Sequence, residues 1–261
     1  MAKSVQLLST VISLKPQGEN NSSVCLITQE EGIIWATLYG GRKSRLKGLV
    51  SPWNTGTVWL SKDEKTKLYK ISDFSVKKYH LTFRENLSKY YASSLAAEIA
   101  LATKCTGNAI DFWALFNGFI DGLEACTEED QIQAGLVRFL WRFLSLSGVQ
   151  PDPTECTSCK KHFLTRKTQG DKVSYTGAEY SVTENSFICS DCKTPDKNTL
   201  FFLSDTAMSY LCAITELSSA EARTWPLTEK AVQEIKALVF FLVENAAGKS
   251  LKTLKTGNNL L

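Results

Sequence analysis

Cys156-Thr157-Ser158-Cys159 and, after 29 intervening residues, Cys189-Ser190-Asp191-Cys192 make two matched thiol pairs. In each pair a tight turn can aim two thiolates at one ion, and tetrahedral zinc takes four such soft ligands. The stretch between them is rich in Lys, Thr, Gly and Tyr, too polar to build a core of its own. The spacing therefore predicts a module at residues 151–200 whose core is one structural zinc ion held by Cys156, Cys159, Cys189 and Cys192. Structural zinc supplies roughly 10–16 kcal/mol of apparent binding energy, enough to offset the ordering of a short polar segment. Buried or free thiols and a redox pair are the alternatives. A redox Cys-x-x-Cys would stand once at a helix start, whereas here the pair occurs twice.

Helical periodicity flanks this module on both sides. Leu87, Tyr90-Tyr91 and Leu95 begin one stripe, Ile110, Trp113, Phe116, Ile120 and Leu123 form a second, and Ile132, Leu136, Phe139-Leu140 and Phe143-Leu144 a third. The third begins with Glu128, Glu129 and Asp130, carries Arg138 and Arg142 towards its far end, and stops at Gly148 and Pro151, a polarity that suits the helix macrodipole. Beyond the cysteines the period resumes at Ala207 to Leu217 and at Val232 to Val243, closed by Gly248. The expectation is a helical domain at residues 81–150 and 201–250, interrupted by the zinc insert. Lys249 to Leu261, polar and partly basic, reads as a solvated tail.

Residues 1–80 read differently. Short β-prone runs at Thr10 to Leu14, Val24 to Thr28, Ile33 to Tyr39, Thr57 to Leu60 and Lys67 to Ile71 are separated by Gly32, Gly40-Gly41, Gly48, Ser51-Pro52 and Asn54-Thr55-Gly56. Five short strands at this spacing predict a small closed barrel of the OB type. The fold class expected for the chain is thus α+β, an N-terminal OB-fold β-barrel followed by an α-helical domain with an inserted four-cysteine zinc module. Charge divides the same way: residues 1–80 hold 12 Lys+Arg against 6 Asp+Glu, while the chain as a whole is only +3.

The densest cationic run, Gly40-Gly41-Arg42-Lys43-Ser44-Arg45-Leu46-Lys47-Gly48, falls in a strand-to-strand connection and contains no acid. Mutual repulsion among Arg42, Lys43, Arg45 and Lys47 calls for an anionic partner, and glycines let the backbone approach phosphates. A solvated loop kept basic for solubility is the plainer alternative. A second basic set, Lys62, Lys65, Lys67, Lys70, Lys77 and Lys78, favours nucleic acid, and Lys67 and Lys70 join the candidate DNA contacts. On Ile33 to Tyr39, alternation puts Ile33, Trp35, Thr37 and Tyr39 on one face and Ile34, Ala36 and Leu38 on the other. Trp35 and Tyr39 are candidate base-stacking residues, although aromatics in a small barrel are more often core.

Enzyme chemistry is not expected. Only His80 and His162 are present, His80 without an identifiable partner and His162 read as an exposed side chain of the module rather than a spare ligand. There is no Gly-x-Ser-x-Gly elbow, and Gly248-Lys249-Ser250 ends a helix instead of following a strand as a phosphate-binding loop does. Glu128, Glu129 and Asp130 are better explained as a helix start than as an acid/base pair. Scattered Cys25, Cys105, Cys126 and Cys212 sit among apolar neighbours, and the start Met-Ala-Lys-Ser has no signal-like apolar run, so a reducing cytoplasm is expected. The longest strongly apolar run, Ala237 to Val243, is far below the roughly 20 residues that span a bilayer.

Taken in order, these features resemble the bacterial RecO family of recombination mediators. The resemblance is carried by Val11-Ile12-Ser13-Leu14-Lys15, Gly18-Glu19, Leu26-Ile27-Thr28, Glu31-Gly32, Gly40 to Arg45 and Leu49 to Trp53. It continues through Phe143-Leu144, Gly148 and Pro151 into the two Cys-x-x-Cys pairs. The family often has an aromatic before the Gly-Glu, where this chain has Gln17, and an acidic residue soon after, where it has Asn20-Asn21. What the resemblance implies is DNA repair by homologous recombination in the RecFOR pathway, in the bacterial cytoplasm at the nucleoid. Such proteins bind single- and double-stranded DNA, anneal complementary strands, engage RecR and the acidic tail of single-strand-binding protein, and help RecA load. The rival readings are a zinc-ribbon nucleic-acid-binding protein of transcription or RNA metabolism and a protein-interaction scaffold with an incidental basic loop.

Overall fold

A computed structural model of the chain describes residues 4–40, 44–62, 68–105, 107–166, 173–192, 199–257 and 260–261. Two compact units divide it, Met1–Thr127 with Ala247–Leu261, and Glu128–Ala246. The first opens with strands β1 (Ser4–Gln17), β2 (Asn21–Thr28) and β3 (Gly32–Leu38), a short helix α1 (Arg45–Leu49), then β4 (Thr55–Lys62) and β5 (Tyr69–Lys78). These strands close into a barrel in the order β1-β2-β3-β5-β4, completed by β1 on β4. β1 serves two neighbours, pairing with β4 through Ser4 to Thr10 and with β2 through Ser9 to Gln17. A register shift between Val11 and Ser13 gives the local bend that this sharing requires. Inward-facing Leu7, Val11, Val24, Leu26, Ile34, Ala36, Val58, Leu60, Ile71 and Phe74 make the barrel core. Each large apolar side chain buried there is worth roughly 1.5–3 kcal/mol.

β5 runs to Lys78, well past the Ile71 at which the β-prone run was expected to end. Its inward residues Ile71 and Phe74 are three apart, because the register slips opposite Trp59 and Leu60, and that slip conceals the strand's alternation. A single 3-10 turn at Leu81–Arg84 leads into α2 (Leu87–Thr103) and α3 (Ala109–Ala125). Asn86 and Asn108 cap the two helices by accepting from backbone N–H groups. The expected stripe on α2 is only partly right: Leu95 is buried as expected, but Leu87 and Tyr90 lie on the surface, and the rest of the buried face is made by Ala92, Ala96, Ile99 and Ala100. Ile110, at the start of α3, is likewise exposed. Asn117 of α3 accepts from Thr10 Oγ1 at 2.6 Å and donates to the Trp113 carbonyl, joining helix and barrel through a buried polar link.

The second unit starts with α4 (Glu129–Leu146), whose capping box pairs Glu128 with Gln131 and whose exit is Gly148 at φ +70°. The predicted stripe Ile132, Leu136, Phe139, Leu140, Phe143 and Leu144 is buried, and Val137 and Trp141 widen it. Next come β6 (Leu164–Arg166) with β7 (Val173–Tyr175), and a three-stranded sheet in which β8 (Ala178–Ser181) lies between β9 (Ser186–Ile188) and β10 (Thr199–Leu203). Helices α5 (Asp205–Glu216), α6 (Ser219–Thr224) and α7 (Glu229–Ala247) follow. The cysteine module is not coreless as its composition implied: Phe163, Tyr180 and Phe187 are all buried, with the Tyr180 and Phe187 rings edge to face at 5.6 Å. Three rings of this size supply a core that a count of polar residues hides.

Past α7 the chain does not dangle as the solvated tail expected from its polarity. α8 (Lys252–Thr256) packs in the first unit against α2, with Leu251 and Leu261 buried. Glu98 of α2 accepts from the Lys252 and Thr253 N–H groups at 2.9 and 2.8 Å. Burial raises the pKa of this carboxyl, but those N–H donors outweigh it and hold it below the usual carboxylate range. No helix among the described residues is long and apolar enough to cross a membrane.

Candidate nucleic-acid interface and metal centre

Register places four polar residues in one row across four adjacent barrel strands. Lys15 of β1 pairs with Ser23 of β2, Ser23 with Thr37 of β3, and Thr37 with Lys70 of β5. Paired residues share a face of a sheet, so a lysine stands at each end of a lane about 14 Å long at the usual strand spacing. Trp35, two residues before Thr37, and Tyr39, two after it, flank the lane with 44% and 50% of their surface exposed. The Lys15 ammonium lies 5.9 Å from the centre of the Trp35 ring, and that of Lys70 lies 5.6 Å from Tyr39. Trp35 and Tyr39 are therefore not core aromatics. The core positions of β3 belong to Ile34, Ala36 and Leu38.

Of the other cations singled out in the sequence, Arg45 is exposed on α1 and Lys47 is half-buried in its last turn. Arg42, Lys43 and Lys67 lie outside the described residues. The structure brings Lys15 beside Trp35, a neighbour no sequence signal points to, because it belongs to no charge cluster and only strand register sets it there. Lys62 adds a further cation–ring pair, 5.0 Å from the centre of Tyr69. The arrangement presents flat π faces beside ammonium groups, which is what stacked bases and their phosphates require.

In the second unit, Cys156, Cys159, Cys189 and Cys192 bring all four Sγ atoms within 4.8 Å of one another. Cys159 Sγ and Cys189 Sγ stand 3.7 Å apart, close to the edge of about 3.8 Å for a tetrahedron built on Zn–S bonds of about 2.3 Å. That separation is too long for a disulfide. Burial raises the pKa of the Cys156 thiol, but the N–H groups of Cys189, Cys159 and Ser158 outweigh it and lower it to about 6. Cys192 is pushed up to about 12 by hydrogen bonding with Cys159 and Cys189. Thiols crowded this closely oppose one another's ionisation, and a divalent cation at their centre removes the conflict. The donor set fits a metal ion. His162 is exposed, opposite Glu155 in an isolated bridge, and lies outside the group.

A third cluster of charge lies on α4 and α6. Arg138 donates to the Tyr210 hydroxyl at 2.8 Å and Arg142 donates to Ser219 Oγ. Burial, then the proximity of Arg138, holds the pKa of Arg142 below the usual guanidinium range, and Arg223 adds to the effect. Among the described residues none of the three arginines forms an ion pair with a carboxylate.

Comparison with known proteins decides the family. The profile described as "Recombination protein O C terminal" matches residues 84–255, which take in all of α4 to α7 and the cysteine module. The chain belongs to the RecO family. It is 23% identical over 255 residues to the DNA repair protein RecO of Desulforamulus reducens, covering 96% of this chain and 93% of that protein. The corresponding Bacillus pumilus protein is 24% identical over 252 residues, covering 96% and 92%. A match to DNA repair protein RecO of Gloeothece citriformis, 25% identical over 159 residues, spans 60% of this chain and 56% of that protein. The RecO-family architecture of an N-terminal barrel, helices and a four-cysteine module is thus the one this chain has.

Sequence reading found no partner for His80 of this RecO-family chain. The buried ring stands between two acceptors, with Nδ1 2.6 Å from the Trp53 carbonyl and Nε2 2.9 Å from Asp121 Oδ1. It ties the end of β5 to the approach to β4 and to α3, so its role is to position barrel and helices. No local signal reveals it, since its partners are 27 and 41 residues away.

Proposed function

We propose that this RecO-family chain is a DNA repair and homologous recombination mediator acting in the bacterial cytoplasm at the nucleoid. It binds single- and double-stranded DNA on the barrel, anneals complementary strands, and with RecR helps load RecA onto DNA coated by single-strand-binding protein. The observation that carries the reading is the lane from Lys15 to Lys70 flanked by Trp35 and Tyr39, together with family membership. Arg45 and Lys47, with Arg42, Lys43 and Lys67, reduce repulsion between two phosphate backbones, which is the main electrostatic barrier to annealing. No bond is made or broken in such a role, and surfaces alone suffice.

One structural zinc ion at Cys156, Cys159, Cys189 and Cys192 cross-links two turns and fixes the adjoining sheet. The acidic tail of single-strand-binding protein docks on the second unit, where Arg138, Arg142 and Arg223 lack acidic partners. The test is annealing of complementary strands coated by single-strand-binding protein. Acceleration by the wild type, lost when Arg42, Lys43, Arg45 and Lys47 are changed to Glu, supports the reading. An RNA-specific binder would not accelerate the reaction at all, and a scaffold with an incidental basic loop would be indifferent to the four substitutions.

A further inference from the structure

The first unit contains a cleft that neither the strand lane nor the metal centre uses. Its volume is about 470 Å³, and it is lined by Pro52, Trp53, Phe83, Arg84, Leu87 and Tyr90, with Glu85 and Asn86 also at its wall. Leu87 and Tyr90 are 57% and 48% exposed at the start of α2, whose buried face holds Leu95, Ile99 and several alanines instead. The Tyr90 ring is braced edge to face by Tyr91 at 6.0 Å. Arg84 Nη2 donates to Ser51 Oγ at 2.6 Å, which holds the guanidinium beside the cleft.

The cleft follows directly in the chain on the basic connection of the barrel. α1, carrying exposed Arg45 and half-buried Lys47, ends at Leu49; shortly after it Ser51 anchors Arg84, and Pro52 and Trp53 form one wall. The cations of α1 thus stand a few residues before an apolar, aromatic slot with a fixed guanidinium at its side. An unstacked nucleotide has that pairing of properties, a flat apolar ring joined to an anionic phosphate.

We infer that this cleft is a base pocket for single-stranded nucleic acid, in which one unstacked base packs on Tyr90 and Leu87 while Arg84 neutralises its phosphate. The inference rests on the DNA-binding reading and sharpens it, because a base paired within a duplex is not free to enter. The pocket therefore gives the protein a means of telling single strands from double strands that the charged lane lacks.

The experiment compares wild type, Tyr90→Ala and Tyr90→Phe by fluorescence anisotropy on three labelled probes: an oligothymidylate, the same oligomer with abasic residues, and a duplex of equal length. Alanine is a good helix former and Tyr90 is half exposed, so both variants fold, which thermal melting checks. The expected result is single-strand binding about 5- to 10-fold weaker for Tyr90→Ala, within the range for loss of one stacked base. Tyr90→Phe should match the wild type, the abasic oligomer should bind wild type and Tyr90→Ala equally weakly, and duplex binding should be the same for all three proteins. Equal losses on single strand and duplex would overturn the inference. So would an unchanged single-strand affinity, which would leave the cleft to a protein ligand. Failure of the wild type to bind either nucleic acid would remove the DNA-binding reading itself, and this pocket with it.

Discussion

Trp35 stands outward between Ile34 and Ala36, which face the barrel core, so its ring can be removed without opening a cavity. Trp35→Ala is expected to weaken single-strand binding by about 5- to 10-fold while leaving stability within about 0.5 kcal/mol, checked by anisotropy and urea melts. Loss of stability with no loss of affinity would return Trp35 to a packing role. Asp121 supplies a pH signature. Burial raises the pKa of its carboxyl, but hydrogen bonds from Lys78 and His80 outweigh this and hold it below the ordinary carboxylate range. A group depressed in the folded state contributes fully above its unfolded pKa of about 3.9, and the contribution is lost as pH falls through the folded value. The first unit should therefore lose stability below about pH 4 more steeply in the wild type than in Asp121→Asn. Identical acid limbs in denaturant melts would contradict this. Cys25, Cys105 and Cys212 are buried and their pKa is raised to about 12, in each case chiefly by that burial. Iodoacetamide at neutral pH should leave all three unmodified until the protein unfolds, as mapped by mass spectrometry.

At the scale of elements, β4 and β5 approach closely at Gly56. A Cβ on Gly56 would stand 2.1 Å from the Ser75 carbonyl oxygen, a contact only backbone movement can relieve. Gly56→Ala should destabilise the barrel by roughly 1–3 kcal/mol, read as a lower denaturation midpoint in urea. In the second unit, Cys156→Ser is expected to release the single metal ion and to speed hydrogen exchange across residues 151–195, with the barrel unchanged. Elemental analysis of purified protein gives the stoichiometry. Because Phe163, Tyr180 and Phe187 supply apolar contacts of their own, the module should loosen rather than unfold outright.

Much of this organisation was legible from pattern alone. Short β-prone runs punctuated by glycine and proline mark the barrel, the apolar stripe of α4 is the face it buries, and the cysteine spacing brings four thiols to one point. What escaped was whatever depends on distant partners or on local irregularity. The end of β5 is hidden because a bulge breaks its alternation, and the α2 stripe holds only in part because Leu95, Ile99 and alanines, not the larger Leu87 and Tyr90, face inward. The last residues read as solvated because Glu98, which caps α8, is 154 residues from Lys252. Lys15 went unnoticed because register, not sequence, sets it beside Trp35.

For the molecule as a whole, a net charge of +3 conceals a barrel segment far more basic than the remainder. If that segment neutralises phosphates, binding must weaken with salt in proportion to the contacts made, with a log–log slope of about −0.9 per phosphate on duplex and about −0.7 on single strand. The most direct measurement is therefore a salt titration of affinity for one labelled oligonucleotide and its duplex, made on wild type and on Arg45→Glu/Lys47→Glu/Lys70→Glu. The account predicts binding to both nucleic acids in dilute buffer, a steep slope for the wild type, and a slope shallower by about 2 to 3 for the triple variant. Absence of binding in dilute buffer, or equal slopes for the two proteins, would contradict it.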